Sequence, residues 1–425
     1  MHSTRARRGG ALLLTAGLAF GLSACAISDG TNGGGGGGGD DKTLTFWSYY
    51  QGTQADWLAA QAEEFEKNNP GVKIDIVKTV GDQQDQKLLA SVATGDTPDL
   101  FINNIVVDYP TLVAGGVTAD LSEYWDDFAD KDQFSESATW TTDDKVYNLL
   151  PFTNLIGLYY NHDILSEVGI DSPPATLDEL QADLEIVKAH GQYEGIALSG
   201  APTVEGAWLF APQLLGQGID YCSFEGPEVD AAFDRVETWA KAGYTPQATA
   251  TWDQNDSWQQ FATGEYAFGI NGNWQLGNAA EASFEWGTTQ YPAPEGGTSV
   301  VYPGGEGFGI GANSDKKDLA WKFLEEAVLT PEAGESIFTI AGSIPVRADV
   351  AELPAIKDNA QVQPFVAAAQ TSGSWPKNEN TANIQKALGE AVSSVISGQT
   401  SAADASAAAI ADIKAAIEDG GGGCS

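Results

Sequence analysis

Between Thr43 and Ile102 the chain alternates strand and helix patterns, and this order constrains its fold more than any other feature. Thr43-Leu-Thr-Phe-Trp47 reads as a strand that leads into an aromatic, polar loop. Trp57, Leu58, Ala62 and Phe65 follow at helical spacing, and Asn68-Asn-Pro-Gly71 stops that helix. Residues 72–77 alternate as a second strand, a helix over 82–94 ends at Gly95, and Asp99-Leu-Phe-Ile102 reads as a third, buried strand. Strand–helix–strand–helix–strand predicts an α/β fold, a parallel sheet covered by helices. In such sheets ligands sit at the carboxyl ends of strands. The loops after Trp47 and Ile102 are therefore the first places to look for function.

The pattern then repeats. Residues 149–161 read as an extended crossing, and Thr176-Leu-Asp-Glu179 is a helix-capping sequence. Strands are expected over 195–198, 266–271 and 307–311, and helices over 229–242 and 316–329, with a helix end at 258–264. Alanine-rich helices over 382–397 and 402–418 close the body. The span 42–418 is long enough for two or three domains of about 150 residues each.

The N-terminus carries an address. Arg5, Arg7 and Arg8 precede a short apolar run from Ala11 to Leu22, and Leu22-Ser23-Ala24-Cys25 follows. This is the layout of a secretory signal, and the run is too short for a membrane span of about 20 residues. The cysteine after the small pair resembles a bacterial lipobox. That resemblance implies a signal peptide over 1–24 and a lipid on Cys25. The location implied is the extracytoplasmic face of the cell membrane, with the lipid as the only membrane attachment. Residues 25–41, with an unbroken glycine run at 33–39, are then a flexible tether.

Lys and Arg total 21 against 59 Asp and Glu, a net charge of −38 that disfavours nucleic acid and anionic lipid as partners. It does not identify a cationic ligand, since solubility alone accounts for such a surface. Of the three cysteines, Cys222 and Cys424 remain outside the cytoplasm, either bridged or as free thiols, with residues 419–425 as a flexible tail. His162 and His190 are the only histidines after the leader, which excludes a histidine-rich metal site but not an all-oxygen one. No cofactor is implied. Phosphate-loop, serine-hydrolase and zinc-hydrolase motifs are absent. A pair of carboxylates suited to glycoside cleavage stays open in so acidic a chain.

Several segments then fall in a familiar order. They are Leu44-Thr-Phe-Trp47; Ala93-Thr-Gly-Asp-Thr-Pro-Asp99; and Leu158-Tyr-Tyr-Asn-His-Asp-Ile-Leu165. Further on come Phe261-Ala-Thr-Gly-Glu-Tyr-Ala-Phe-Gly-Ile-Asn-Gly-Asn-Trp274; Ala320-Trp-Lys-Phe-Leu-Glu-Glu-Ala-Val-Leu-Thr-Pro-Glu-Ala-Gly334; and Ser343-Ile-Pro-Val-Arg347. In this order they resemble the extracytoplasmic solute-binding proteins of ATP-driven importers, in the carbohydrate-binding group that includes the maltose-binding proteins. The resemblance implies a two-lobed, periplasmic-binding-protein-like fold of type II, with discontinuous lobes joined by a hinge. One lobe is expected over 42–150 and 311–347, the other over 151–310 and 348–418. It also implies a monomer that captures a carbohydrate and delivers it to the transmembrane permease subunits without chemistry.

Sugars offer hydroxyls at their edges and apolar C–H faces, so their sites need flat aromatic surfaces beside planar hydrogen-bonding groups. With 12 Trp the chain has the material. Trp239, Trp321, Trp57 and Trp258 read as core residues. The resemblance assigns Trp274 to stacking on a sugar ring, with Asn273 just before it. Asn154 matches a polar position in the hinge-side crossing. Asn103 and Asn104 match a ligand-facing loop in which the maltose binder carries an aromatic, so a stacking platform on that side is in doubt. Tyr49, Tyr50 and Gln51 occupy the first strand-end loop. Trp208 is equally readable as core, Trp252 and Asp253 lie in a polar loop ahead of the Trp274 segment, Glu306 is also readable as a solvated turn, and Trp375 could form a wall. Two other functions stay open: a binder of another solute such as a polyamine, and a secreted glycoside-cleaving enzyme.

Overall fold

The computed structural model of the chain describes residues 42–135, 138–373, 375 and 378–424. The expected signal peptide, Cys25 and the tether lie outside the described residues. Strand β1 (Thr43–Ser48) pairs in parallel with β2 (Lys73–Lys78) on one side and β3 (Leu100–Asn104) on the other. Helices Gly52–Asn68 and Gly81–Thr94 make the two crossovers. Trp57, Leu58, Ala62 and Phe65 all face the core. Gly95 takes the left-handed conformation, with φ 77°, that closes a helix and penalises a Cβ. A hairpin, β4 (Thr139–Thr142) and β5 (Lys145–Leu149), extends the sheet. Its turn residues Asp143 and Asp144 have φ of 50° and 60°, a twist that two-residue hairpins require and that aspartate tolerates.

The chain then leaves this sheet through β6 (Phe152–Thr153) and enters a second one. Here β7 (Ile156–Asn161), β8 (Glu194–Ala197), β9 (Tyr266–Gly272) and β10 (Trp286–Gln290) stand in the order β10-β7-β9-β8. Strand β11 (Glu306–Ile310) returns to the larger sheet, antiparallel to β3, and completes the order β2-β1-β3-β11-β5-β4. The return is thus complete by Glu306, ahead of the expected position 311. After helix Pro331–Ala341, β12 (Ile344–Pro345) pairs with β6 and carries the chain back. The last two helices, Thr381–Ile396 and Ala402–Asp419, pack on helices Val204–Phe210 and Pro227–Ala242 beside the smaller sheet.

Three crossings therefore run side by side. Strands β6 and β12 are hydrogen-bonded. Asn154 and Gly304 exchange both backbone bonds at 2.8 Å. Arg347 locks the third crossing: its guanidinium, with the side chain 4% exposed, donates to the Leu329 carbonyl at 2.7 Å and to Asp130 and Asp349 at 3.1 and 2.8 Å. The core divides on either side. Leu44, Phe46, Leu100, Ile102, Phe308 and Phe323 pack under the larger sheet; Leu158, Tyr159, Phe233, Trp239, Phe268 and Leu388 pack around the smaller.

The C-terminal tail is fastened rather than free. Cys222 and Cys424 form a disulfide across a Cα separation of 5.7 Å. The Asn378 amide donates to the carbonyls of Ile417 and Gly423 at 3.2 and 2.6 Å. Cys222→Ser should release the tail: amide exchange over 420–424, read by mass spectrometry, rises to the rate of free chain while exchange in the smaller sheet is unchanged. A tail that stays protected would assign the fastening to Asn378 alone.

Candidate functional site

A pocket of about 500 Å³ lies between the two sheets, within the range of about 300–1,000 Å³ common for small-molecule sites. The larger sheet contributes the loops at the carboxyl ends of β1 and β3, as open α/β sheets do. These bring Gln51, Thr53 and Gln54, then Asn104, Val106 and Val107, with Glu306 at the start of β11. The other wall holds Asn154, Glu205, Trp208, Gln254, Trp274 and Gln385, with Gly304 and Gly305 at the crossing. Among the described residues, none of the pocket lining is Lys, Arg or His, and no cluster of three or more His, Cys, Asp or Glu could hold a metal ion.

The aromatic wall is a pair. Trp208 sits on helix Val204–Phe210, whose Thr203 caps it by accepting from the Glu205 amide at 3.3 Å. Trp274 sits on a single turn directly after β9. Their rings stack at 5.6 Å and 16°. Two glycines make this possible. A Cβ on Gly272 would occupy the space of the Trp274 ring, and one on Gly304 would lie 2.8 Å from the Trp208 ring. The glycine of Asn271-Gly-Asn273 thus admits the indole. The Trp208 Nε1 is enclosed and has no protein partner.

Polar groups stand on both walls. Glu306 borders the pocket, and its Oε2 is enclosed without a partner. Burial pushes its carboxyl up to about 7, because the charged form loses hydration that a bond from its own backbone amide only partly offsets. Gln385 also presents an unpartnered Oε1, while its Nε2 donates to the Val106 carbonyl at 3.4 Å. Asn154 lines the pocket and accepts from Asn273 at 3.2 Å.

Of the residues picked from sequence, the pocket thus gathers Gln51, Asn104, Asn154, Trp208, Trp274 and Glu306. The others lie off its surface, each for a physical reason. Tyr49 and Tyr50 stack edge-on against each other, and their enclosed hydroxyls lack partners. Burial first, and the Glu306 charge second, hold both phenols well above their ordinary range. Asn103 turns inward and accepts from the Asn148 amide. Trp252 packs on Tyr266 at 6.4 Å. Asp253 caps helix Gln254–Phe261, accepting from the amides of Asn255 and Asp256 at 2.8 and 2.7 Å. Trp375 stacks on Tyr302 at 3.9 Å, and its indole donates to the Pro303 carbonyl. Its neighbours Ser374 and Pro376 lie outside the described residues.

Asn273 is a fastener. Fully buried, it accepts from the Leu155 amide at 2.6 Å and donates to the Gly342 carbonyl at 2.8 Å as well as to Asn154. It therefore ties β9 to the first and third crossings. Sequence reading missed Gln254 and Gln385. Gln385 did leave a signal, as a polar residue in register with Thr381, Ile384 and Leu388 on the buried face of its helix.

Comparison with known proteins gives a consistent picture. Residues 60–364 match a family model described as bacterial extracellular solute-binding protein. The maltotriose-binding protein of Pyrococcus abyssi is 26% identical over 360 residues, 79% of this chain and 73% of that one. The crystal structure of the cyclic alpha-maltosyl-1,6-maltose binding protein from Arthrobacter globiformis superposes with a TM-score of 0.77 at 26% identity, over 89% of this chain and 99% of that one. Maltose-bound T. maritima MalE3 gives a TM-score of 0.76 at 24% identity, over 88% and 99%. The shared architecture is the two-lobed, hinged α/β fold of type II expected from the sequence.

Proposed function

The chain belongs to the bacterial extracellular solute-binding proteins, and from that premise we propose that it captures a carbohydrate outside the cell and delivers it to the transmembrane subunits of an ATP-driven importer. One observation carries the choice of ligand: a stacked indole pair, Trp208 and Trp274, faces carboxylate and amide groups across a pocket between the sheets. Indoles suit the C–H faces of a sugar ring, and planar polar groups suit its hydroxyls. The relatives named for maltotriose and maltosyl-maltose point the same way. The pocket residues Gln51, Asn104, Asn154, Trp208, Trp274 and Glu306 are the proposed contacts. Lobe 1 takes the larger sheet and lobe 2 the smaller, and closure of one on the other around the hinge excludes water from the ligand. The protein acts as a monomer, held to the membrane by a lipid on Cys25.

The work is binding without chemistry. A micromolar ligand needs about −8 kcal/mol in total, which a few stacked rings and hydrogen bonds reach after ordering costs. A thermal-shift panel of neutral saccharides and polyamines, followed by calorimetry on the hits, tests this. The expected result is one-to-one binding of a saccharide that is recovered unchanged. Stabilisation by polyamines alone would move the ligand class, and recovery of cleaved sugar would make the protein an enzyme.

A further inference from the structure

Glu306 stands on the proposed sugar-facing wall. Its Oε2 is enclosed and has no partner in the protein. The groups that face it are not cations. The loop after β1 supplies the phenols of Tyr49 and Tyr50, each raised in part by the Glu306 charge, and the segment after β3 supplies Asp108, which acts on Tyr49. The second carboxylate on the pocket, Glu205, accepts from the Gln254 amide at 2.8 Å. No Lys, Arg or His stands among the described lining residues. A buried carboxylate without a protein counter-charge must be met by a hydrogen-bond donor or stay protonated.

We propose that Glu306 determines ligand class, admitting saccharides that present hydroxyl or amine donors to it and barring those that carry a carboxylate or phosphate at that ring. The inference rests on the carbohydrate reading above and narrows it. An anionic sugar brings acceptors where the wall already offers them, in the enclosed Oε2 of Glu306 and the Oε1 of Gln385. Its charge would lie beside a carboxylate in a water-poor pocket, where repulsion is screened far less than at the surface. A neutral hydroxyl or a protonated amine instead gives Oε2 its missing bond. The overall negative charge of the protein also repels anions, but that effect is diffuse and salt-sensitive, so removing one local carboxylate separates the two.

The test is calorimetry on a matched set: maltotriose, its 6-amino-6-deoxy derivatives and its 6-uronates, each modified at either terminal ring. It is run on the wild type and on Glu306→Gln, an isosteric change whose folding is checked by thermal melting, with Tyr50→Phe as a second variant at the same wall. At pH 8, where the Glu306 carboxyl is mostly ionised, the wild type should bind at least one uronate about 100-fold or more below maltotriose, and the matching amine at least as well as maltotriose. Glu306→Gln should narrow the uronate gap to about 10-fold or less. Because the carboxyl titrates near 7, the ionised form that accepts ligand donors accumulates as pH rises, so wild-type maltotriose affinity should climb from pH 6 to pH 8 and that of Glu306→Gln should stay level. Tyr50→Phe, which keeps the carboxylate, should retain the uronate gap. Equal binding of maltotriose and both uronates by the wild type, or a gap untouched by Glu306→Gln, overturns the assignment while leaving carbohydrate binding in place. Absence of binding by every member of the set takes down both.

Discussion

Trp274→Ala should weaken saccharide binding by about 30- to 1,000-fold, the equivalent of roughly 2–4 kcal/mol for a central aromatic contact, with little change in the melting temperature. The two halves of this expectation come from the same geometry. Trp274 sits on a turn after β9 and is only partly buried, so the core of the smaller sheet does not depend on it. Its ring stacks on Trp208 and passes close to the Gly272 backbone. Truncation removes one face of the pair and frees the Trp208 ring to shift, so the remaining indole no longer offers a fixed platform. Calorimetry with a bound saccharide reads the affinity, and circular dichroism on heating reads the fold. Unchanged affinity would place the sugar elsewhere; a collapsed melting curve would make Trp274 a structural residue.

Asn273→Ala is expected to cost stability first, about 3 kcal/mol. The residue is fully buried and serves the Leu155 amide, the Gly342 carbonyl and the Asn154 side chain. Each buried group left unpaired costs about 1–3 kcal/mol, and partial relaxation keeps the total below the sum. Asn273→Asp keeps the acceptor for Leu155 but sets a buried carboxylate oxygen against the Gly342 carbonyl and the Asn154 oxygen, so at neutral pH it should cost at least as much as alanine. Because Asn154 faces the pocket, affinity should also fall, though less than for Trp274→Ala. Denaturant unfolding of the three proteins gives the order, and equal midpoints would remove Asn273 from its fastening role.

These two residues also mark what could be read from the chain in advance. The first three strands and their helices were legible because burial on one face leaves a period, and Trp57, Leu58, Ala62 and Phe65 show it. The hairpin of β4 and β5 was not, because its turn is Asp143-Asp144, without the glycine that usually announces such a turn. Trp274 was picked through the family resemblance and Trp208 was equally readable as core; the structure puts both on the pocket. Asn273, Asp253 and Asn103 were misjudged for one common reason. A polar residue beside a ligand loop has the same spelling whether it meets a sugar or satisfies a neighbouring backbone. Only the fold decides which, as when Asp253 accepts from two amides of its own helix. Gln385 enters the pocket from a helix near the C-terminus, and no local pattern says which distant segments will meet.

The three side-by-side ribbons between the sheets, fixed together at β6–β12 and at Asn154–Gly304, have a mechanical result. A lone strap would let two bodies swivel freely about its length. Three straps abreast resist torsion and sliding, and leave folding about the line across them as the compliant direction. The same weave means that neither body is spelled by one unbroken stretch of gene, so cutting the reading frame in two would not yield two self-sufficient proteins.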